Sequence, residues 1–96
     1  MDTGKSRFHL GQVVLTRGVN DLAAENDAFT KFVMESLHRH TTGDWGDLCN
    51  EDQRANDYAL GKYLRIFSAY NHKDKKIWII TEADRSATTV LFPDEY

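Results

Sequence analysis

The stretch Lys76–Tyr96 (KIWIITEADRSATTVLFPDEY) constrains the fold of this chain more than any other. Ile77 to Glu82 is dense in branched and aromatic residues that suit a pleated surface. Ile77, Ile79 and Thr81 share one face of such a strand, and Trp78, Ile80 and Glu82 the other. Both faces are largely apolar, which predicts a central strand covered on both sides. Ala83–Ala87 is a short polar connection leading into a second strand, Thr88–Phe92, which Pro93 ends. A connection this short makes a hairpin, because a parallel crossover needs a dozen residues or more. Upstream, Leu64, Ile66, Ser68 and Tyr70 alternate with Arg65, Phe67 and Ala69, and Asn71–Lys75 forms a charged hairpin tip. The three strands read as an antiparallel meander.

The first half is mostly helical. Phe8–Thr16 predicts a first strand with Gly11 as a bulge or close-approach point, followed by a turn at Arg17-Gly18. Asn20 is placed to cap a short helix over Asp21–Glu25. Asn26 or Asp27 caps the next, which runs to about His40. Phe29, Phe32, Val33, Ser36, Leu37 and His40 fall on its one apolar face. Gly43 is placed for the left-handed cap. Asn50, with Gln53 three positions on, resembles a capping box opening a third helix over Glu51–Leu60, and Gly61 ends it. The expected class is α+β: a small antiparallel sheet, a C-terminal three-stranded meander with room for the N-terminal strand, and two to three helices packed on one face.

At 96 residues the chain makes one domain, 1–96, with residues 1–6 expected to fray. A net charge of −3 gives no basic footprint for nucleic acid. Cys49 is the sole cysteine, which excludes an internal disulfide or a thiolate metal cluster within one chain. With no apolar leader and no run of membrane-spanning length, a cytoplasmic location is expected and membrane association is not.

Two strings occur together here: Gly-Asp-Trp-Gly-Asp-Leu at 43–48, and Trp-Ile-Ile-Thr-Glu-Ala-Asp-Arg-Ser-Ala-Thr-Thr at 78–89 running on to Leu-Phe-Pro-Asp-Glu-Tyr. With Leu10-Gly11 and Arg65…Ser68-Ala69-Tyr70, they resemble a family of small bacterial proteins labelled plasmid-related, some of which carry a restriction-modification label. The resemblance spans nearly the whole chain and departs at the Phe29–Met34 helix and the lysine-rich tip. It implies a protein borne on plasmids and integrated elements, and it carries no catalytic residue over. A restriction subunit would need a cofactor or metal site and a DNA surface, for which this length leaves little room.

Two polar clusters are the candidate sites. Glu82, Asp84, Arg85, Ser86 and Thr88 crowd one turn, where charge-assisted hydrogen bonds to a partner compete with local pairing of Arg85 and turn bonding by Ser86 and Thr88. Asp44, Trp45 and Asp47 lie in a glycine-rich loop. Trp45 is either an interface anchor or a ring closing the core, and the aspartates either face a partner or cap amides. The four acids Asp44, Asp47, Glu82 and Asp84 are hard oxygen donors, but their spacing matches no calcium loop. His38 and His40 point to different helix faces and cannot share a metal, and no nucleophile elbow, phosphate loop or dinucleotide fingerprint is present. Cys49 is read as a small buried hydrophobe. His72, Lys73, Lys75 and Lys76 form the basic cluster, small and without interleaved aromatics.

The resulting expectation is a non-enzymatic interaction or regulatory module of a mobile element, without cofactor or metal. It binds an unidentified protein partner through Asp44, Trp45, Asp47, Glu82, Asp84 and Arg85. The alternatives are small-ligand or metal-assisted chemistry at the same loops, and nucleic-acid binding through the lysines. An open sheet edge is compatible with a monomer or a homodimer.

Overall fold

The computed structural model describes residues 5–96, so residues 1–4 of the segment expected to fray lie outside it. The order is β1 (Gln12–Leu15), α1 (Arg17–Glu25), α2 (Asp27–Thr41), α3 (Asn50–Leu60), β2 (Ile66–His72), β3 (Lys75–Thr81) and β4 (Ala87–Leu91), closed by a 3-10 turn at Pro93–Glu95. The class is α+β. β2, β3 and β4 form the expected antiparallel meander. β1 docks parallel to β4, which gives the sheet order β1-β4-β3-β2 and leaves β3 and β4 internal.

Register assigns the faces. Val13 and Leu15 lie beside Thr88 and Val90, these beside Thr81 and Ile79, and Ile66 and Ser68 complete the rows, with Tyr70 beside Ile77. α1 and α2 cover this face: Val19, Phe29, Phe32, Val33 and Leu37 meet Tyr70, Ile77, Ile79 and Val90 in the main core. The opposite face carries the row Val14, Thr89, Ile80, Phe67 and, next to it, Leu91, Trp78, Ala69. What lies over it is the end of the chain, not a second layer of helices. The expectation that β3 is covered on both sides holds in burial, but helices cover only one of the two faces. Trp78 packs edge-to-face against Phe67 at 5.1 Å and Tyr96 at 5.8 Å, and these rings border Ile80, which is 6% exposed.

The two sheet edges differ. On β2, the Asn56 side-chain amide of α3 donates to Phe67 O at 2.6 Å and accepts from Phe67 N at 3.2 Å, as a neighbouring strand would. Farther along, Ala69 N donates to Trp45 O and Ala69 O accepts from Asp47 N. The loop at 45–47 thus closes this edge. Gly46 permits the approach: it sits at φ +77°, and a Cβ there would lie 2.0 Å from Ala69 O. Among the described residues the outer edge of β1 has no such cover, and Val13 and Val14 are 43% and 40% exposed.

Element ends correct several expectations. β1 spans only Gln12–Leu15, because Gly11 at φ +65° interrupts the extended run where it meets the Ser86 backbone. α1 starts at Arg17, not Asp21, and Gly18 is inside it. Its exposed amides are met from the far end of the chain: Glu95 accepts from Gly18 N at 2.9 Å and from Thr16 Oγ1 at 2.6 Å. The Thr16 hydroxyl, with the amides, holds the Glu95 carboxyl below its ordinary range. Glu95→Ala is expected to cost about 0.5–1 kcal/mol in a urea titration, the usual value of a helix cap open to solvent.

α2 begins as read, with the Asn26 side chain accepting from Phe29 N at 3.0 Å, and Gly43 at φ +90° follows its last turn. The Asn50–Gln53 capping box does not form. Cys49 is the N-cap of α3, and Gln53 Nε2 instead donates to Leu48 O at 2.9 Å. Cys49 is exposed, not the buried hydrophobe expected.

Candidate functional site

Residues 43–48 leave the end of α2, where Arg39 Nε and Nη2 bind the Asp44 carboxylate at 2.7 and 3.1 Å. The Asp44 carboxylate also accepts from Gly46 N at 3.2 Å, and Asp44 O accepts from the Tyr70 hydroxyl at 2.7 Å. The Arg39 guanidinium holds the Asp44 carboxyl below the usual carboxylate range. Asp47 accepts from Asn71 Nδ2 at 2.6 Å. Trp45 is 3% exposed, packs with Ala59 and Ile66, and donates its indole N–H to Asp57 at 2.9 Å. Its ring closes a second, smaller core beside α3.

The β3–β4 turn is held in a comparable way. Asp84 accepts from Ser86 N at 3.0 Å, a local turn bond that leaves Asp84 exposed, and the Ser86 hydroxyl, with that amide, holds its carboxyl low. Arg85 takes the left-handed conformation at φ +62°, which aims its side chain back across the molecule. Its guanidinium donates to Leu64 O at 2.6 Å, Ala59 O at 2.9 Å, Ala83 O at 3.0 Å, Lys62 O at 3.1 Å and Glu82 O at 3.2 Å. Ala59 is in the last turn of α3, where backbone carbonyls lack helical partners. Arg85 is therefore a cap on α3 supplied by a distant turn.

The two loops converge through Phe8. Its ring stacks on Trp45 with centroids 6.2 Å apart, and the Arg85 guanidinium carbon lies 5.8 Å from the same ring. Glu82 belongs elsewhere, 3.9 Å from Arg65 Nε at the border of the helix-free sheet face. Trp45 and Arg85 are thus joined at one corner, with Asp44 and Asp47 in the loop of the first and Asp84 in the turn of the second, while the Glu82 side chain faces Arg65 instead. Among the described residues, no group of three or more His, Cys, Asp or Glu is arranged to hold a metal.

A buried polar chain runs behind this corner. His40, wholly buried, places Nδ1 2.6 Å from Ser68 Oγ and Nε2 2.9 Å from Thr81 Oγ1. Thr81 Oγ1 is 2.7 Å from Thr88 Oγ1, which donates to Leu10 O at 2.7 Å. Counting hydrogens from the carbonyl end assigns the tautomer. Thr88 gives its hydrogen to Leu10, Thr81 gives its own to Thr88, and His40 must donate from Nε2. Nδ1 then accepts from Ser68. Burial pushes the His40 pKa down to about 3, so the ring stays neutral at ordinary pH.

The helix-free sheet face holds the residues that the loop-centred reading missed. Arg65, Phe67, Trp78, Ile80 and Tyr96 line a hollow of ≈ 250 Å³. A second hollow of ≈ 250 Å³ adjoins it, sharing Arg65, Ile80 and Tyr96 and adding Thr16, Glu82, Thr89, Leu91 and Glu95. The signal was the two-sided apolarity of β3. One helical layer covers one face only, so the second apolar face had to be either a further interior or a surface.

Comparison with protein-family models, curated proteins and solved structures returns no match.

Proposed function

We propose that this chain is a non-enzymatic protein-interaction module of a bacterial mobile element, and that its partner docks on the sheet face that carries no helices. The carrying observation is the pair of adjoining hollows around Ile80, walled by Phe67, Trp78 and Tyr96 with Arg65 on the border. Half-buried Phe67 and Trp78, with the exposed Tyr96 and an arginine beside them, are the composition favoured at protein–protein hot spots. The loop groups have other work: Asp44, Asp47 and Arg85 bond within the fold, and Trp45 is interior. Glu82 stays in the surface as part of its rim. The mobile-element setting rests on the resemblance of the strings at 43–48 and 78–96.

The matching partner is a protein segment with an aliphatic or aromatic anchor next to a carboxylate. The anchor fills the hollow, and the carboxylate replaces the loosely held Glu82 on Arg65, which is 3.9 Å away and half-exposed. A phage-displayed peptide library panned on the purified protein tests this. The expected selection is peptides with an apolar residue beside Asp or Glu, whose affinity falls tenfold or more for Trp78→Ala and for Arg65→Glu. Peptides that bind both variants as well as the parent, or no selection at all, would overturn the assignment.

A further inference from the structure

We infer that the bare edge of β1 is a self-association surface, at which two copies pair antiparallel with Val14 on the two-fold axis. The hydrogen-bond phase of β1 decides which of its backbone groups face outward. Gln12 N donates to Ser86 O and Thr16 N to Val90 O, each at 3.0 Å, so Gln12, Val14 and Thr16 direct their backbone groups at β4. Alternation turns the N–H and C=O of Val13 and Leu15 outward, away from the sheet. An antiparallel copy centred on Val14 sets Val13 opposite the partner's Leu15, and Leu15 opposite the partner's Val13. Each such pair exchanges both of its N–H···O=C bonds, so every outward group of the strand is met. Centring on Val13 instead would oppose Leu15 to Gly11, which sits at φ +65° and is not extended.

The side chains fit the same register. Val14 lies on the helix-free face at the end of the row Phe67, Ile80, Thr89, Val14. With the axis through Val14, the two copies' rows join end to end, and the two Val14 side chains meet as a non-hydrogen-bonded pair, the arrangement that brings side chains closest. Nothing in Gln12–Leu15 opposes this, because the strand carries no charge and no proline, the devices that blunt exposed edges. The β2 edge differs: Asn56 and the loop at 45–47 fill it, so among the described residues the β1 edge is the one left open. The contact is small, so the dimer is weak and depends on concentration. This inference does not rest on the proposed partner surface, although the joined rows would place two such surfaces side by side.

The test uses the full chain with Cys49→Ser as background, since Cys49 is exposed. Val14→Cys on that background is expected to form a disulfide-linked dimer under mild oxidation, because opposed non-hydrogen-bonded positions bring Cβ atoms within bridging range. Met34→Cys, on α2 and more accessible at 63% against 40% for Val14, is nonetheless expected to cross-link at least tenfold more slowly. In parallel, sedimentation of the unmodified chain should show a mass rising from one copy to two with concentration. Val13→Pro, which removes only an outward N–H, and Val14→Lys, which opposes two cations at the axis, should each weaken the dimer tenfold or more with unchanged circular dichroism. A chain that stays monomeric at millimolar concentration, a dimer that survives both variants, or equal cross-linking at 14 and 34 would each overturn the inference.

Discussion

Between pH 6.5 and pH 5 the protein is expected to lose about 1.6 kcal/mol of unfolding free energy, as the slope steepens from half to the full single-group value of about 1.4 kcal/mol per pH unit. The source is His40. In the unfolded chain it titrates near the ordinary value of 6.5, whereas in the fold burial lowers its pKa to about 3. The contribution of the neutral ring is therefore complete above 6.5. It falls as pH drops, because the unfolded state takes up a proton that the folded state refuses. The lowered carboxyls of Asp44 and Glu95 act with the same sign but nearer pH 4 and below, which leaves the window from 6.5 to 5 to His40. Urea titrations at half-unit pH steps measure the slope. In His40→Leu the slope in this window should vanish, while stability at pH 7 drops by about 3 kcal/mol because Ser68 and Thr81 lose their shared partner. A flat profile in the parent, or a slope that survives in the variant, would remove His40 from this role.

Arg85→Ala should be at least as damaging, with a loss of about 3 kcal/mol or more by urea titration. The guanidinium is the common donor for carbonyls at the end of α3, in the segment 62–64 and in its own turn, and alanine removes it from all of them at once, leaving Ala59 O, Lys62 O and Glu82 O with backbone amides alone. Arg85→Lys is expected to recover only a minor part, since one ammonium cannot span both sets of acceptors. Arg85→Gly supplies an internal control. Glycine is at ease at φ +62°, so it should exceed the alanine variant by about 1 kcal/mol while still falling well short of the parent. An alanine variant within about 0.5 kcal/mol of the parent would show that the contacts drawn by Arg85 do not hold the corner together.

What could be read in the sequence, and what could not, divides along chain distance. The meander, the apolar face of α2, the Gly43 cap and the interior position of β3 each follow from a local period or a local turn. Arg85 shows the opposite case. Surrounded by Glu82 and Asp84, it reads as an acid's partner, yet its main partners are carbonyls of Ala59, Lys62 and Leu64, which leave no mark in the identity of those residues. His40 was legible as a member of a buried helix face, but Ser68 and Thr81 stand 28 and 41 positions away, and no spacing rule joins them. For Trp45 both roles were visible, and burial beside Ala59 and Ile66 is the one the fold adopts. The outward row through Ile80 was present as a pattern. Its meaning depended on how many layers three short helices can build, which is a property of the whole chain.

The tie between Glu95 and the start of α1, with β1 held against β4, has a consequence for synthesis in the cell. A ribosome makes residues 12–18 first, but the segments that complete them are 87–95. At roughly 5–20 residues per second, the leading segment waits roughly 4–15 s before its neighbours exist. During that delay Gln12–Leu15 is an uncharged extended run with both margins open, so this is the interval in which a nascent chain is most exposed to capture by chaperones or by its siblings on the same message.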